Sequence, residues 1–249
     1  MGSHNDELTV LVTGFGPFGD QQSVNPSWEI AKSLPSELPR SEHSPRVRII
    51  IYPEPIRVSY RTVRTLVPTL WDEHRIDAAI HIGMAGPRPV YQLERRARRS
   101  EYRTPDVDGA LPPDDDDDED NDDDGHRLPA ELRSELHLDD VLDRWRALSQ
   151  ADMDLRLSDD AGRFLCEFIY FTSLSELMRR RRRRNVVFLH VPCHATERYV
   201  TQGRDLALSL VRAVAQSLVA GGQPASKGGE ARPLTSLDAV GENEVGTGS

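Results

Sequence analysis

The stretch Ser158-Asp-Asp-Ala-Gly-Arg-Phe-Leu-Cys166-Glu-Phe-Ile-Tyr-Phe-Thr-Ser-Leu174 sets the architecture of this chain. Ser158, Asp159 and Asp160 are good N-cap types, and the run that follows contains no proline, so the segment predicts a capped helix. Phe164, Leu165, Phe168, Ile169, Phe171 and Leu174 cover too much of the helix circumference for a surface position, so the helix is expected to be buried. Cys166 falls in its first turns, where the positive end of the helix dipole favours a thiolate. A lone cysteine is more often a small core side chain. Its weight as a nucleophile therefore depends on finding a base and a carboxylate elsewhere.

Short strand patterns flank this helix. Met153 to Leu157 precedes it, and Asn185-Val-Val-Phe-Leu-His190-Val-Pro192 follows, with His190 at the carboxyl end. Further out, Leu8 to Thr13, Val47 to Tyr52 and Asp77 to Gly83 are β-branched runs, the first and last ending in Gly. Helical spacing returns from about Pro26, from Arg57 to about His74, from Leu138 to Leu148 and from Asp205 to about Val219. Strands alternating with helices predict a single α/β domain, a three-layer α/β/α sandwich on a mostly parallel twisted sheet. Sites in such folds lie beyond the carboxyl ends of the strands, which places Gly14, Gly83 and His190 at the functional edge. A His there is a stronger base candidate than one inside a strand.

The 249 residues suffice for one such core. The net charge of −10 is local, because Asp114 to Asp124 contains ten carboxylates and the remainder is neutral. Residues 112–128 are expected to form a disordered acidic loop, and 221–249 a disordered tail, around a domain spanning 8–220 with a polar segment at 1–7. Metal binding by the acidic run is not expected, since hard-cation sites need spaced ligands and a turn more than raw charge. No apolar run approaches a membrane span, no signal-peptide pattern is visible, and two cysteines suit a reducing cytosol.

Gly14-Phe-Gly16-Pro-Phe-Gly19 matches the spacing of a dinucleotide fingerprint. Pro17 interrupts it, however, the helix begins only near Pro26, and no acid ends a second strand. The loop is expected instead to hold Phe15 and Phe18 as a small aromatic pocket, with Asn25 as an N-cap. Glu94, among Arg95, Arg96, Arg98 and Arg99, reads by itself as a solvated surface ion pair. Arg179 to Arg184 could contact nucleic acid, but cations also suit a helix C-terminus, and that reading is favoured.

Taken together, Val12-Thr-Gly-Phe-Gly-Pro-Phe-Gly19, Val24-Asn-Pro-Ser-Trp28, Leu93-Glu-Arg95, Ser158 to Cys166 and Phe188-Leu-His-Val-Pro192 resemble the pyroglutamyl peptidase I family of cysteine peptidases. The segments follow the family's order over residues 8 to about 218. The resemblance implies a triad of Cys166 as nucleophile, His190 as base and Glu94 orienting the imidazole. It also implies Phe15, Phe18 and Phe164 as walls for a lactam ring, Asn25 beside the site, and Arg103 as a loop arginine. Met84 stands where bacterial members often carry Gln, the segment after His190 departs from the common pattern, and Glu94 to Arg103 is a residue short. The implied activity is removal of an N-terminal pyroglutamyl residue through a thioester, with no cofactor or metal. The oxyanion would be met by N–H groups at the helix start, including that of Cys166.

The implied partners are peptides blocked by pyroglutamate, with no membrane or nucleic acid expected and a homo-oligomer left open. The competing readings are a non-catalytic binder of blocked peptides, a nucleotide-binding protein using Gly14 to Gly19, and a nucleic-acid contact through the arginine run.

Overall fold

The computed structural model describes residues 7–18, 23–73, 75–112 and 127–221. In chain order its elements are β1 (Glu7–Gly14), α1 (Pro26–Lys32), β2 (Glu37–Leu38), β3 (Arg46–Ile51), α2 (Tyr60–Glu73), β4 (Ala78–Met84), β5 (Val90–Glu94), β6 (Arg96–Arg98), β7 (Glu131–Arg133), α3 (Leu138–Leu148), β8 (Asp154–Ser158), α4 (Leu165–Arg179), β9 (Val186–Val191) and α5 (Glu197–Val219). Seven strands form the central sheet in the order β2-β3-β1-β4-β9-β5-β8, and β6 pairs with β7 in a small separate ribbon. Strands β3, β1, β4 and β9 run parallel; β5 runs against β9 and carries β8 parallel to itself. The expected three-layer α/β sandwich on a mostly parallel sheet is what forms.

Side-chain alternation explains the layers. Val10, Val12, Ile80, Ile82, Val187 and Leu189 face one way and pack with Ile30 of α1, Trp145 of α3 and Leu210 of α5. Leu11, Ala79, Val186 and Phe188 face the other way and pack with Val63 and Val67 of α2 and with Leu165, Ile169 and Leu174 of α4. Helix α4 is buried on most sides, as its composition required. The chain leaves β1 toward β3 on one side and reaches β4 on the other, so the carboxyl ends of β1 and β4 flank the crevice where this sheet class places its sites.

Several boundaries differ from the sequence expectation, each for a tertiary reason. Helix α4 begins at Leu165, with Phe164 extended at its N-cap and no side-chain cap. Ser158 and Asp160 are used earlier: the Ser158 hydroxyl accepts from the Asp160 N–H at 3.2 Å, and Asp160 accepts from the Gly162 N–H at 3.4 Å. They turn the chain instead of capping the helix. Helix α5 begins at Glu197, two turns before the expected Asp205. Gly203 inside it costs roughly 1 kcal/mol of helix propensity, but a Cβ there would lie 2.3 Å from Ile30 Cδ1, so its absence permits close α1–α5 packing. Strands β2, β5, β6 and β7 were not expected, being two to five residues long.

Helix α2 starts at Tyr60, not Arg57, because its cap comes from far along the chain. Asp106 accepts from the Tyr60 N–H at 3.0 Å and from the N–H groups of Asp108 and Ala110 at 2.9 and 3.0 Å. Burial pushes this carboxyl up, but those backbone donors and the Ser59 hydroxyl outweigh it and hold the pKa below its ordinary value. A depressed folded value contributes stability above the unfolded pKa of ~4, and that contribution disappears as pH falls through the folded value. Asp106→Ala is therefore expected to lower unfolding free energy near pH 7 by about 1–2 kcal/mol. The gap from the parent should close below pH ~4, and denaturant titrations at several pH values check this.

The arginine run begins at the last residue of α4, and the Arg180 N–H closes the helix. Arg180 bonds Asp72, Glu176 and the Pro68 carbonyl, Arg182 donates to the Ile76 carbonyl at 2.7 Å and lies over Trp71, and the Arg184 N–H meets Glu135 at 2.8 Å. The run thereby ties α4 to α2 and to the segment after β7. The acidic stretch at 114–124 and the tail from 222 lie outside the described residues. Among the described residues no helix is long and apolar enough to cross a membrane.

Candidate active site

Three strand ends and one helix start converge at the sheet's carboxyl edge. Cys166 is the second residue of α4, and the first intrahelical bond beyond it runs from the Phe168 N–H to the Phe164 carbonyl at 3.0 Å. The N–H groups before Phe168 are thus not consumed by the helix ladder. Gly83, near the end of β4, lies directly beneath the sulfur. A Cβ at Gly83 would lie 2.8 Å from Cys166 Sγ and 2.6 Å from the Phe188 ring, so only a hydrogen there lets α4 settle on the sheet edge.

His190 lies near the end of β9, opposite Gly83 in register and on the α4 face of the sheet. Its Nδ1 is 2.7 Å from Glu94 Oε1, and its ring stands 4.8 Å from that of Phe188. With Nδ1 engaged by Glu94, the His190 ring also hydrogen-bonds the Cys166 side chain. Burial disfavours the charged imidazole, but the bonds to and charges of Cys166 and Glu94 outweigh it and push the His190 pKa up to about 10. An imidazolium beside a sulfur is an arrangement suited to a cysteine nucleophile.

Glu94 is 1% exposed, which overturns its reading as a solvated surface ion pair. Its arginine neighbours go elsewhere: Arg95 pairs with Asp139, Arg96 with Glu131, and Arg98 with Asp160 and Glu167. The cause is the reversed strand β5. Because β5 runs against β9, its last residue lies opposite Phe188, and its carboxylate reaches diagonally to His190 on the same face. A sequence pattern suggesting parallel strands gave no sign of this pairing.

Beside the sulfur lies a cavity of about 150 Å³ lined by Phe15, Phe18, Asn25, Val58, Met84, Ala85, Phe164, Leu165 and Cys166. Phe18 and Phe164 stand 4.9 Å apart, and Tyr60 braces Phe164 edge-on at 6.1 Å. Among the lining residues only Asn25 and Cys166 carry polar side chains. Asn25 does more than cap α1: its Oδ1 accepts from Ser27, and its Nδ2 donates to the Gly16 carbonyl at 2.8 Å, holding the loop between its two phenylalanines. Of the residues singled out from sequence, Arg103 alone is not brought to this cavity or to the triad. It is exposed, on a loop anchored through Tyr102 and Asp106. Val58, Ala85 and the bracing Tyr60 had no sequence signal. Gly83 had one, as a glycine ending a buried strand.

A family model for pyroglutamyl peptidase matches residues 8–222. The chain belongs to the pyroglutamyl peptidase family. It is 34% identical over 183 residues to pyroglutamyl-peptidase 1 of Rattus norvegicus, covering 74% of this chain and 78% of that protein. It is 31% identical over 206 residues to the pyrrolidone-carboxylate peptidase of Thermococcus kodakarensis, covering 82% and 91%. Among solved structures, pyroglutamyl peptidase I from Bacillus amyloliquefaciens superposes with a TM-score of 0.63 at 25% identity, covering 84% of this chain and 95% of that one. For pyrrolidone carboxyl peptidase from Thermococcus litoralis the TM-score is 0.67 at 20% identity, over 87% and 97%; that likeness is one of fold. The pyroglutamyl peptidase fold thus accommodates Met84 at the pocket and the Cys193-His194 segment after β9. His194 Nε2 lies 2.9 Å from the Pro87 carbonyl and joins the two loops.

Proposed function

We propose that this chain is a cysteine exopeptidase that removes N-terminal pyroglutamyl residues, with Cys166 as nucleophile, His190 as proton carrier and Glu94 as the group that orients and charges the imidazole. The observation that carries this reading is the His190–Glu94 contact of 2.7 Å beside a sulfur that itself lines a small aromatic cavity. Pyroglutamate is a flat, neutral ring without an ammonium group, which suits aromatic walls with a single amide, that of Asn25, among them. His190 takes the Cys166 proton, and the thiolate attacks the scissile carbonyl. The oxyanion forms beside the uncommitted N–H groups at the start of α4. Collapse breaks the C–N bond, with the His190 proton passing to the leaving amine. Water then cleaves the thioester, releasing pyroglutamate and restoring the thiol.

Release of a fluorescent amine from a pyroglutamyl amide, compared with the matching prolyl amide, tests this reading. Proline has the same ring size but bears a charge that an apolar pocket must desolvate, and it lacks the lactam carbonyl. The pyroglutamyl amide is expected to be favoured by at least ~10³-fold in kcat/KM. Comparable rates for both, or none for either, would refute the assignment. A reducing compartment belongs to the same proposal, since Cys166 must be a thiol to act as the nucleophile.

A further inference from the structure

Glu167 directly follows the nucleophile and is fully buried, yet the chemistry above gives it no task. Its Oε1 accepts from the Arg98 backbone N–H at 3.0 Å and from the Arg98 guanidinium at 3.4 Å; its Oε2 accepts from Arg163 at 2.9 Å. Each arginine is shared. Arg98 also holds Asp160 at 2.9 Å, and Arg163 also holds Glu101 at 3.1 Å. Glu101 adopts a left-handed backbone (φ 72), unusual for a residue with a side chain.

These bonds join three parts of the site. Glu167 sits on α4 next to Cys166. Arg98 lies four residues beyond Glu94, and Arg163 immediately precedes the pocket wall Phe164. One turn along the same face of α4, the Tyr170 hydroxyl donates to the Glu94 carbonyl at 3.0 Å, a second tie between this helix and the segment carrying Glu94. A buried carboxylate is a costly way to build such a tie: burial raises its pKa despite both arginines. A whole buried ion pair can often be replaced by apolar residues without loss of stability, although removing one partner alone is costly. A residue whose value lay in stability alone would not need the charge.

We propose that Glu167 is a positioning residue for the hydrolysis, fixing the Glu94 segment and the Phe164 loop relative to Cys166. This rests on Cys166, His190 and Glu94 being the triad. If Glu167 acts through Glu94, its removal should matter only while Glu94 is present. The test is a double-mutant cycle of Glu167→Gln and Glu94→Gln in a Cys193→Ser background, which leaves one thiol. It is read by kcat and KM on a pyroglutamyl amide, by the rate of iodoacetamide alkylation of Cys166, and by thermal midpoint.

Glu167→Gln alone is expected to lower kcat about tenfold or more at temperatures well below its thermal midpoint, which Asp160 and Glu101 help to maintain by still pairing the two arginines. In the Glu94→Gln background the same substitution should change kcat less than about twofold. Glu167→Asp should recover part of the loss, and its own cycle replaces the first if the Gln variant does not fold. A tenfold loss in both backgrounds, or a lowered midpoint with unchanged kcat, would overturn the proposal. If the parent chain turns over no pyroglutamyl amide, the peptidase reading fails. The alkylation rates still decide whether the two carboxylates are coupled.

Discussion

Cys166→Ser is expected to lower kcat on a pyroglutamyl amide by at least ~10⁴-fold, whereas Cys193→Ser leaves it within about twofold. The asymmetry comes from placement. Cys166 Sγ lines the aromatic cavity and bonds His190, at the start of a helix with no side-chain cap. Cys193 lies in the loop after β9, where its N–H meets the Gly86 carbonyl at 3.3 Å, and it is absent from the cavity lining. A serine hydroxyl in place of the thiol is a far weaker acid and cannot persist as an anion beside an imidazolium. The nucleophile is then lost while the pocket remains. Binding of a pyrrolidone ligand should consequently survive the substitution, which separates loss of chemistry from loss of fold. Turnover by the Cys166→Ser variant, or its disappearance with Cys193→Ser, would remove Cys166 as nucleophile.

The second large effect is expected from Glu94→Gln. The carboxylate holds Nδ1 of His190 and contributes to the raised pKa of the imidazole. Glutamine keeps the size but loses the charge, and its amide can donate where the carboxylate could only accept, permitting the wrong tautomer. By analogy with other triads, kcat should fall by roughly 10²–10⁴-fold. The sign of the pH effect is also determined. A negative neighbour favours the protonated imidazole, so the parent keeps His190 charged up to about 10. Without that neighbour, burial has less to oppose it, and the alkaline limb of the kcat/KM profile should move to lower pH. A profile whose alkaline limb stays in place would show that Glu94 does not act on His190 as its position implies.

The order of strands and helices was legible in the sequence wherever apolar residues were dense and segments long. Leu8 to Thr13, Asp77 to Gly83 and Leu138 to Leu148 each became the expected element within a residue or so. The buried character of α4 followed from its nearly all-round apolar surface, and from it the placement of Cys166 near a helix start. His190 at a strand's carboxyl end was legible for the same reason, because parallel sheets put their chemistry there.

What the residues in isolation could not reveal depended on contacts distant in sequence. Glu94 by itself reads as a surface acid among arginines, and only the antiparallel pairing of β5 with β9 turns it inward to His190. The start of α2 depends on Asp106, forty-six positions away, and the extra turns of α5 on the space that Gly203 leaves for Ile30. Glu167 gives no local sign of joining Arg98 to Arg163. Local propensity and periodicity are properties of neighbouring residues, so the sequence alone determined the longer elements, the sheet type and which cysteine and histidine stand as candidates for nucleophile and base. Burial, reversed strand pairing and shared ion pairs arise only when remote segments meet. The tertiary structure therefore decided which carboxylate faces the imidazole, what walls the pocket and what holds them in place.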